Sequence, residues 1–307
     1  MRRNIPQDAA GALRKTTRIL ATSFGRSATM NLETLCGGID LQPEIREKVF
    51  QYYHSDDFCQ TTNLLDGLAN METESFTRAQ LKQIFQTDER QVKMLTCMLV
   101  CAVRQHAWYA EKGIPDTIFF DTMRCFTRFI GECKKIAGAY AFDREWWTAR
   151  QLSGVLFRIG ELEFEKIYEG KKPLISIHIP SDSILTKERC DQSFADAECF
   201  FAEYFPEFPA AEYVCNSWLL APELEDLLPE DSRILAFQKR FLIREVEYSE
   251  EEYIEWVFKT RSRRIADFPE KSTLQKNMKR YLLDGGKIGN GMGVLRMSTT
   301  PRELPYS

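Results

Sequence analysis

The sequence predicts an α+β fold: a helical bundle in the first half, then a mixed β-sheet flanked by helices. Three observations lead there. Between Asn31 and Ala141 apolar residues recur at steps of three and four, the period of a helix buried along one side. Near Leu152 the period drops to two, and strand-like and helix-like segments interleave from there on, which excludes an all-α or all-β chain. A length of 307 residues with 44% hydrophobic and 12% aromatic content suffices for one large domain or two ordinary ones. We divide it into an extension over 1–30, a helical domain over 31–150 and a mixed domain over 151–307.

Composition narrows the functional classes. Lys plus Arg number 41 against 45 Asp plus Glu, a net charge of −4, so no overall field draws the chain to nucleic acid or an anionic membrane. Apolar runs extend for only a few residues, far short of the ~20 a membrane helix needs. Nine cysteines, an odd number, sit mostly within apolar stretches and read as reduced, buried thiols of a cytoplasmic protein. No Cys-x-x-Cys pair occurs and His54, His106 and His178 are far apart, so no metal site is expected. The first thirty residues set Arg2, Arg3, Arg14, Lys15, Arg18 and Arg26 against the single acid Asp8. This acid-poor, Arg-containing profile is similar to an organelle transit peptide; we expect instead an extension upstream of a start near Met30 or a disordered tail, and leave it out of the fold argument.

In the helical half, Val92, Leu95, Leu99 and Val103 form one stripe. Phe119, Met123, Phe126, Ile130, Cys133 and Ala137 form a second. Gly113 and Pro115 separate them, which predicts two neighbouring antiparallel helices. Next, Val155, Phe157 and Ile159 alternate with polar positions, but beyond Gly160 the apolar set moves to Leu162 and Phe164. This one-residue slip predicts a strand with a bulge at the glycine. Glu169-Gly-Lys-Lys-Pro173 reads as a turn into a second strand of Leu174, Ile175, Ile177 and Ile179, completing a hairpin.

A helix follows, with Cys190, Phe194, Ala197, Phe201 and Tyr204 on its stripe and Pro206 and Pro209 at its end. Tyr213 to Leu220 reads as a buried strand. Ile234, Phe237 and Phe241 mark another helix, and Leu242, Arg244, Val246 and Tyr248 a further strand. Ser249 with Glu252 and Ser272 with Gln275 have the spacing of capping boxes at two helix starts. The second of these helices stops at Gly285, and Gly289, Gly291 and Gly293 lead into a last short strand.

Five segments carry a resemblance: Gly154-Val-Leu-Phe-Arg-Ile-Gly160, Ile177-His-Ile-Pro180, Cys215-Asn-Ser-Trp-Leu-Leu220, Ser272-Thr-Leu-Gln275 and Gly289-Asn-Gly-Met-Gly293. In this order they resemble bacterial acyltransferase domain-containing proteins, in which a helical N-terminal domain precedes a GNAT-like acetyltransferase domain. The likeness covers about residues 31–297. It implies acetyl-CoA or another acyl-CoA as co-substrate, no metal, and an amine of a small molecule or peptide as acceptor, attacked directly with general-base assistance. It also implies that two neighbouring parallel strands, here Leu174–Pro180 and Tyr213–Leu220, part at one end to take the pantetheine arm.

On that pattern Ser181, Asp182, Ser183 and Ile184, with Thr186 and Lys187 starting the next helix, would cradle the pyrophosphate. The cradle departs from the family: it has no glycine, and Asp182 is an acid where an anion should bind. A glycine run at Gly286–Gly291 comes too late to replace it and reads as a helix-to-strand turn. His178 leaves the apolar face near a strand end and is the candidate base. Glu161, Glu163 and Glu165 would share one strand face, Glu163 as a second candidate base with Glu161 beside the substrate, or all three as a solvated edge.

Cys215, Ser217 and Trp218 would lie across the gap from His178, Cys215 as packing in preference to an acylated thiol. Tyr281 would protonate the leaving thiolate, or else end a helix stripe. Trp146, Trp147, Trp218 and Trp256 are candidate pocket walls. Lys259, Arg261, Arg263 and Arg264 form a basic cluster fit either for an acidic ligand or for solvent. The competing reading of the whole chain is a non-catalytic ligand- or partner-binding protein that kept the fold and lost the cradle.

Overall fold

One long helix, buried through its N-terminal half, organises the first half. In the computed structural model, which describes residues 30–208, 211–249 and 251–296, the helices of this half are α1 (Leu32–Gly38), α2 (Pro43–Tyr53), α3 (Asp56–Cys59), α4 (Leu65–Leu68), α5 (Glu74–Phe85), α6 (Val92–Lys112), α7 (Asp116–Met123), α8 (Cys125–Ala137) and α9 (Glu145–Leu152). Met94 through Leu99 are buried without a break in α6, because α1, α2, α4, α5, α7 and α9 pack around it. A helix enclosed on most sides buries more than the single stripe its period shows. The second predicted stripe is carried by two helices, not one: α7 and α8 meet at Arg124, which keeps right-handed dihedrals, so the stripe stays buried across the break from Phe119 to Cys133, while Ala137 is exposed. Apart from Met30, the expected extension lies outside the described residues, as does Pro209.

The second half forms a six-stranded sheet of order β1-β2-β3-β4-β6-β5. Its strands are β1 (Leu156–Ile159), β2 (Leu162–Glu169), β3 (Lys172–His178), β4 (Glu212–Ser217), β5 (Phe241–Glu247) and β6 (Asn290–Leu295). The slip at Gly160 is not a bulge. Ile159 pairs with Leu162, so Gly160, at φ 63°, and Glu161 form a two-residue turn between antiparallel strands, and a turn of that length resets the phase. β2 and β3 form the predicted hairpin through Gly170-Lys171. β1 is a sheet edge covered by the helical half: Thr122 Oγ1 accepts from the Arg158 amide at 3.0 Å, and Phe157 stacks on Trp108 at 6.5 Å between ring centres. Residues Leu32 onward form one compact unit.

Helix α10 (Lys187–Tyr204) covers one sheet face, with Phe194 edge-on to Phe164 and Phe200 against Phe157. Short helices α11 (Leu224–Leu227) and α12 (Arg233–Gln238), then α13 (Glu252–Phe258) and α14 (Thr273–Leu283), build a second core around Leu224, Ile254, Phe258, Phe268 and Met278. Phe241 belongs to β5, not to the preceding helix, which stops at Gln238. Of the two predicted capping boxes only Ser272–Gln275 forms. At the other, the Glu247 carboxylate takes the amides of Tyr248 and Ser249 at 2.9 Å, and α13 starts from Glu251 instead.

The predicted strand Tyr213–Leu220 ends at Ser217, whose Oγ accepts from the Leu219 amide at 3.2 Å and turns the chain into a 3-10 turn over Trp218–Leu220. This turn explains the late glycines as close-packing residues. A Cβ on Gly291 would meet the Leu220 carbonyl oxygen at 2.5 Å, backbone that cannot yield. Gly291→Ala should therefore cost about 1–3 kcal/mol of stability, read as a lower Tm in thermal denaturation, whereas Gly138→Ala, which meets nothing within 4 Å, should cost only the strain of its positive φ.

Candidate functional site

β3 and β4 run parallel but pair only from Leu174↔Glu212 to Ser176↔Val214. Beyond Val214, β4 pairs only with β6, through Cys215↔Gly293, Asn216↔Met292 and Ser217↔Gly291. β3 continues against β2 to Glu163↔His178. The two strands part, and a cavity of about 540 Å³ opens at the fork. Its walls come from β3 and the loop after it, the end of β4, helices α8 and α9, and α13.

Strand alternation places Glu163 and Glu165 of β2, Ser176 and His178 of β3 and Asn216 of β4 on one face, opposite the face that α10 covers. His178 lines the cavity with its side chain 22% exposed. Its Nε2 is 2.8 Å from Glu165 Oε2, and Arg150 Nε donates to Glu165 Oε1 at 3.1 Å. Arg150 lies 4.3 Å above the Trp147 ring, and Trp147 stands edge-on to the imidazole at 4.9 Å. An ionised carboxylate only accepts, so in the neutral imidazole this bond puts the proton on Nε2 and leaves Nδ1 as the basic atom.

The three glutamates do not share a solvated edge. Glu163 is 2% exposed and lines the cavity, but its Oε1 receives Arg128 Nη2 at 2.6 Å. Its carboxylate is held in a buried ion pair. Glu161 lies in the turn, where it accepts from Arg189 at 2.6 Å and from the Ile184 amide at 2.7 Å. It braces the next loop and does not reach the cavity wall.

In that loop Ser181, Ser183 and Ile184 line the cavity, while Asp182, Thr186 and Lys187 do not. Ser181 Oγ donates to Glu132, and Ser183 Oγ donates to the Glu161 carbonyl at 2.5 Å. Asp182 accepts from Arg158 at 3.0 Å with Arg128 at 3.9 Å, and these guanidiniums hold its carboxyl below the usual range against the opposing effect of its burial. Thr186 caps α10 through the Arg189 amide, and Lys187 pairs with Asp191 at 2.6 Å. Among the described residues, no hydrogen bond takes the amides of Lys187 and Glu188 in the first turn of α10.

Ser217 and Trp218 line the cavity; Cys215 is fully buried on the other face of β4, and burial pushes its thiol up to about 12. Tyr281 lies outside the cavity, packed on the second core and over Gly286. All four candidate tryptophans line the wall. Of the basic cluster, only Lys259 does; Arg261, Arg263 and Arg264 pair with Asp143, Glu251 and Asp267. Sequence reasoning missed Arg128, Glu132, Arg144 and Asn216. The available signal was Arg128 and Glu132, charges four apart beside the stripe of Phe126, Ile130 and Cys133. Among the described residues no helix is long and apolar enough to cross a membrane.

Comparison with known proteins agrees with this architecture. The N-acyltransferase N-terminal domain model matches residues 30–154, and the GNAT-like C-terminal domain model matches 156–295. No curated protein matches significantly. A solved acyltransferase in complex with decanoyl-CoA is similar with TM-score 0.72 and 20% identity over 86% of each chain. Another, in complex with decanoyl-CoA and teicoplanin, is similar with TM-score 0.64 and 20% identity, over 88% of this chain and 100% of that one. An acyltransferase mutant with octanoyl-CoA has TM-score 0.64 and 19% identity over 88% of this chain and 100% of the other. With both domain models matched in order and almost abutting, the chain belongs to the acyltransferase family that joins an N-acyltransferase N-terminal domain to a GNAT-like C-terminal domain.

Proposed function

We propose that the protein is an acyl-CoA-dependent N-acyltransferase that acylates an amine by direct attack, with His178 as general base. The parting of β3 from β4 carries this reading, since it leaves strand backbone unpaired beside a cavity into which the one titratable imidazole of the sheet points. A pantetheine arm carries amides that can complete the interrupted ladder. Phe129, Trp147, Ile179, Leu185, Trp218 and Leu219 give the cavity an apolar lining, which leaves room for an acyl chain longer than acetyl. The similar acyltransferases in complex with decanoyl-CoA and octanoyl-CoA favour the same co-substrate class.

The glycine-free loop fits a phosphate group only partly. Glu161 occupies the Ile184 amide, and Ser183 and Thr186 amides bond within the loop. Donors that remain for an anion include the amides of Lys187 and Glu188 at the start of α10 and exposed Arg233 on the cavity rim. In the reaction the amine nitrogen bonds to the thioester carbonyl carbon and the carbon–sulfur bond breaks. His178 Nδ1 takes the proton the nitrogen sheds and returns it to the departing thiolate, while Glu165 and Trp147 hold the ring.

Two predictions test this. Calorimetric titration with acetyl-, octanoyl- and decanoyl-CoA should show binding, and His178→Ala should keep that binding while thiol release with an amine acceptor falls about 10²- to 10⁴-fold. Absence of binding to all three thioesters would sink the reading. Cys215→Ala should retain acyl transfer, and intact-mass spectra after incubation with acyl-CoA should show no acyl adduct on this thiol, because a group held near 12 is not a thiolate at neutral pH.

A further inference from the structure

The cations around the cavity are not equivalent. Arg128 is neutralised by Glu163 at 2.6 Å and Arg144 by Glu255, while Arg233 is exposed at the rim. Lys259 is exposed on the cavity wall, and among the described residues no carboxylate closes an ion pair with it. Its ammonium lies 5.4 Å over the Trp256 ring. Burial lowers its pKa, with the attraction of Glu132 opposing. Its backbone adds an independent sign. Lys259 ends α13 at φ 52° and ψ 43°, a left-handed cap that glycine or asparagine normally takes. A long cationic side chain is kept where the backbone favours none.

Glu132 faces the same cavity from α8. It is 6% exposed. Its Oε1 accepts from Ser181 and lies 3.8 Å from Arg128 Nε, whereas Oε2 is buried without a hydrogen-bond partner. A buried carboxylate oxygen left unpaired is costly. Its burial holds the carboxyl above the usual range despite the Ser181 hydrogen bond and the nearby cations. The cavity wall thus presents an unfilled hydrogen-bond acceptor and an unfilled cation, on helices from the two halves of the chain.

We infer that Glu132 and Lys259 form an acceptor subsite for an amine that also carries a carboxylate, of the amino acid or peptide class. Glu132 Oε2 accepts an N–H of the acceptor, and Lys259 binds its carboxylate. The assignment to an acceptor rests on the acyl-transfer reading above; the binding of the two groups does not. Charge selects this ligand over a phosphate. A dianionic group at Lys259 would face Glu132 and Glu255, both close enough to act on the ammonium. A ligand with one positive and one negative end matches the pair without net cost.

The test measures binding first and turnover second. The probes are a free dipeptide, its C-terminal amide and its N-acetyl form, titrated into wild type, Lys259→Gly and Glu132→Gln by calorimetry. Glycine suits the left-handed position, so Lys259→Gly should fold at least as well as wild type, checked by its melting curve. We expect wild type to bind the free dipeptide about tenfold or more tightly than the amide or the N-acetyl form, the worth of one charge-assisted hydrogen bond. Lys259→Gly should lose the preference over the amide, and Glu132→Gln the preference over the N-acetyl form. Wild type that does not discriminate, or a Lys259→Gly variant that keeps its preference, overturns the subsite. So does a Lys259→Gly variant that weakens acyl-CoA binding and leaves dipeptide binding intact, which would give Lys259 to the nucleotide. Dipeptide preference without acyl-CoA binding by wild type would sink the transferase reading and leave the subsite standing.

Discussion

Arg128 is the constraint on which the site depends. Its guanidinium lies 4.9 Å over the Phe129 ring, bonds Glu163 at 2.6 Å, and stands 3.8 and 3.9 Å from Glu132 and Asp182. One cation thus ties α8 to β2 and to the loop after β3. A buried cluster of this kind recovers little net stability, because each ion has given up its hydration. What it contributes is position. Glu163 is the register partner of His178, so the bond that holds Glu163 under α8 also docks the imidazole's face of the sheet against that helix. Without Arg128, Glu163 would lose its buried ion pair, and Glu132 and Asp182 would keep only Ser181 and Arg158.

Much of this was legible in the sequence because short-range chemistry governs it. The alternation around His178 placed the imidazole on the polar face, and the change of period near Leu152 located the junction of the two halves. Ser272 with Gln275 gave a helix start that needs no tertiary information. The failures share one cause, competition from residues that the local pattern does not show. At Ser249 the Glu247 carboxylate takes the amide that the Glu252 side chain would reach in a capping box. The phase slip at Gly160 fits a bulge and a tight hairpin equally well until the pairing of Ile159 with Leu162 is known.

The glutamate trio shows the limit most clearly. Glu161, Glu163 and Glu165 look equivalent in sequence, and the structure gives each a different partner: a loop amide with Arg189, the buried Arg128, and the imidazole with Arg150. Only strand register and the docking of α8 and α9 distinguish them. Arg128 and Arg150 lie on helices of the first half, so no reading confined to the second half could assign the glutamates. Arg150 and Trp147 of the helical half hold Glu165 and the imidazole in place, which is a physical reason for the two halves to form one unit.

The loop after β3 shows how the fold manages without glycines. Glycine is useful in a phosphate cradle because bare backbone can curl around the anion. Here the loop is shaped instead by side chains: Glu161 on the Ile184 amide, Ser183 on the Glu161 carbonyl, and Arg158 on Asp182. That bracing takes up donors which a glycine-rich loop would offer to a ligand, and the acid that seemed misplaced at Asp182 is part of it. The first turn of α10 and the cavity rim keep donors for an anion, while the inner wall holds a buried carboxylate oxygen without a hydrogen-bond partner on Glu132 and an ammonium without an ion pair on Lys259. Fixing the loop with internal bonds leaves discrimination to the inner wall, where α8 and α13 face each other across the fork.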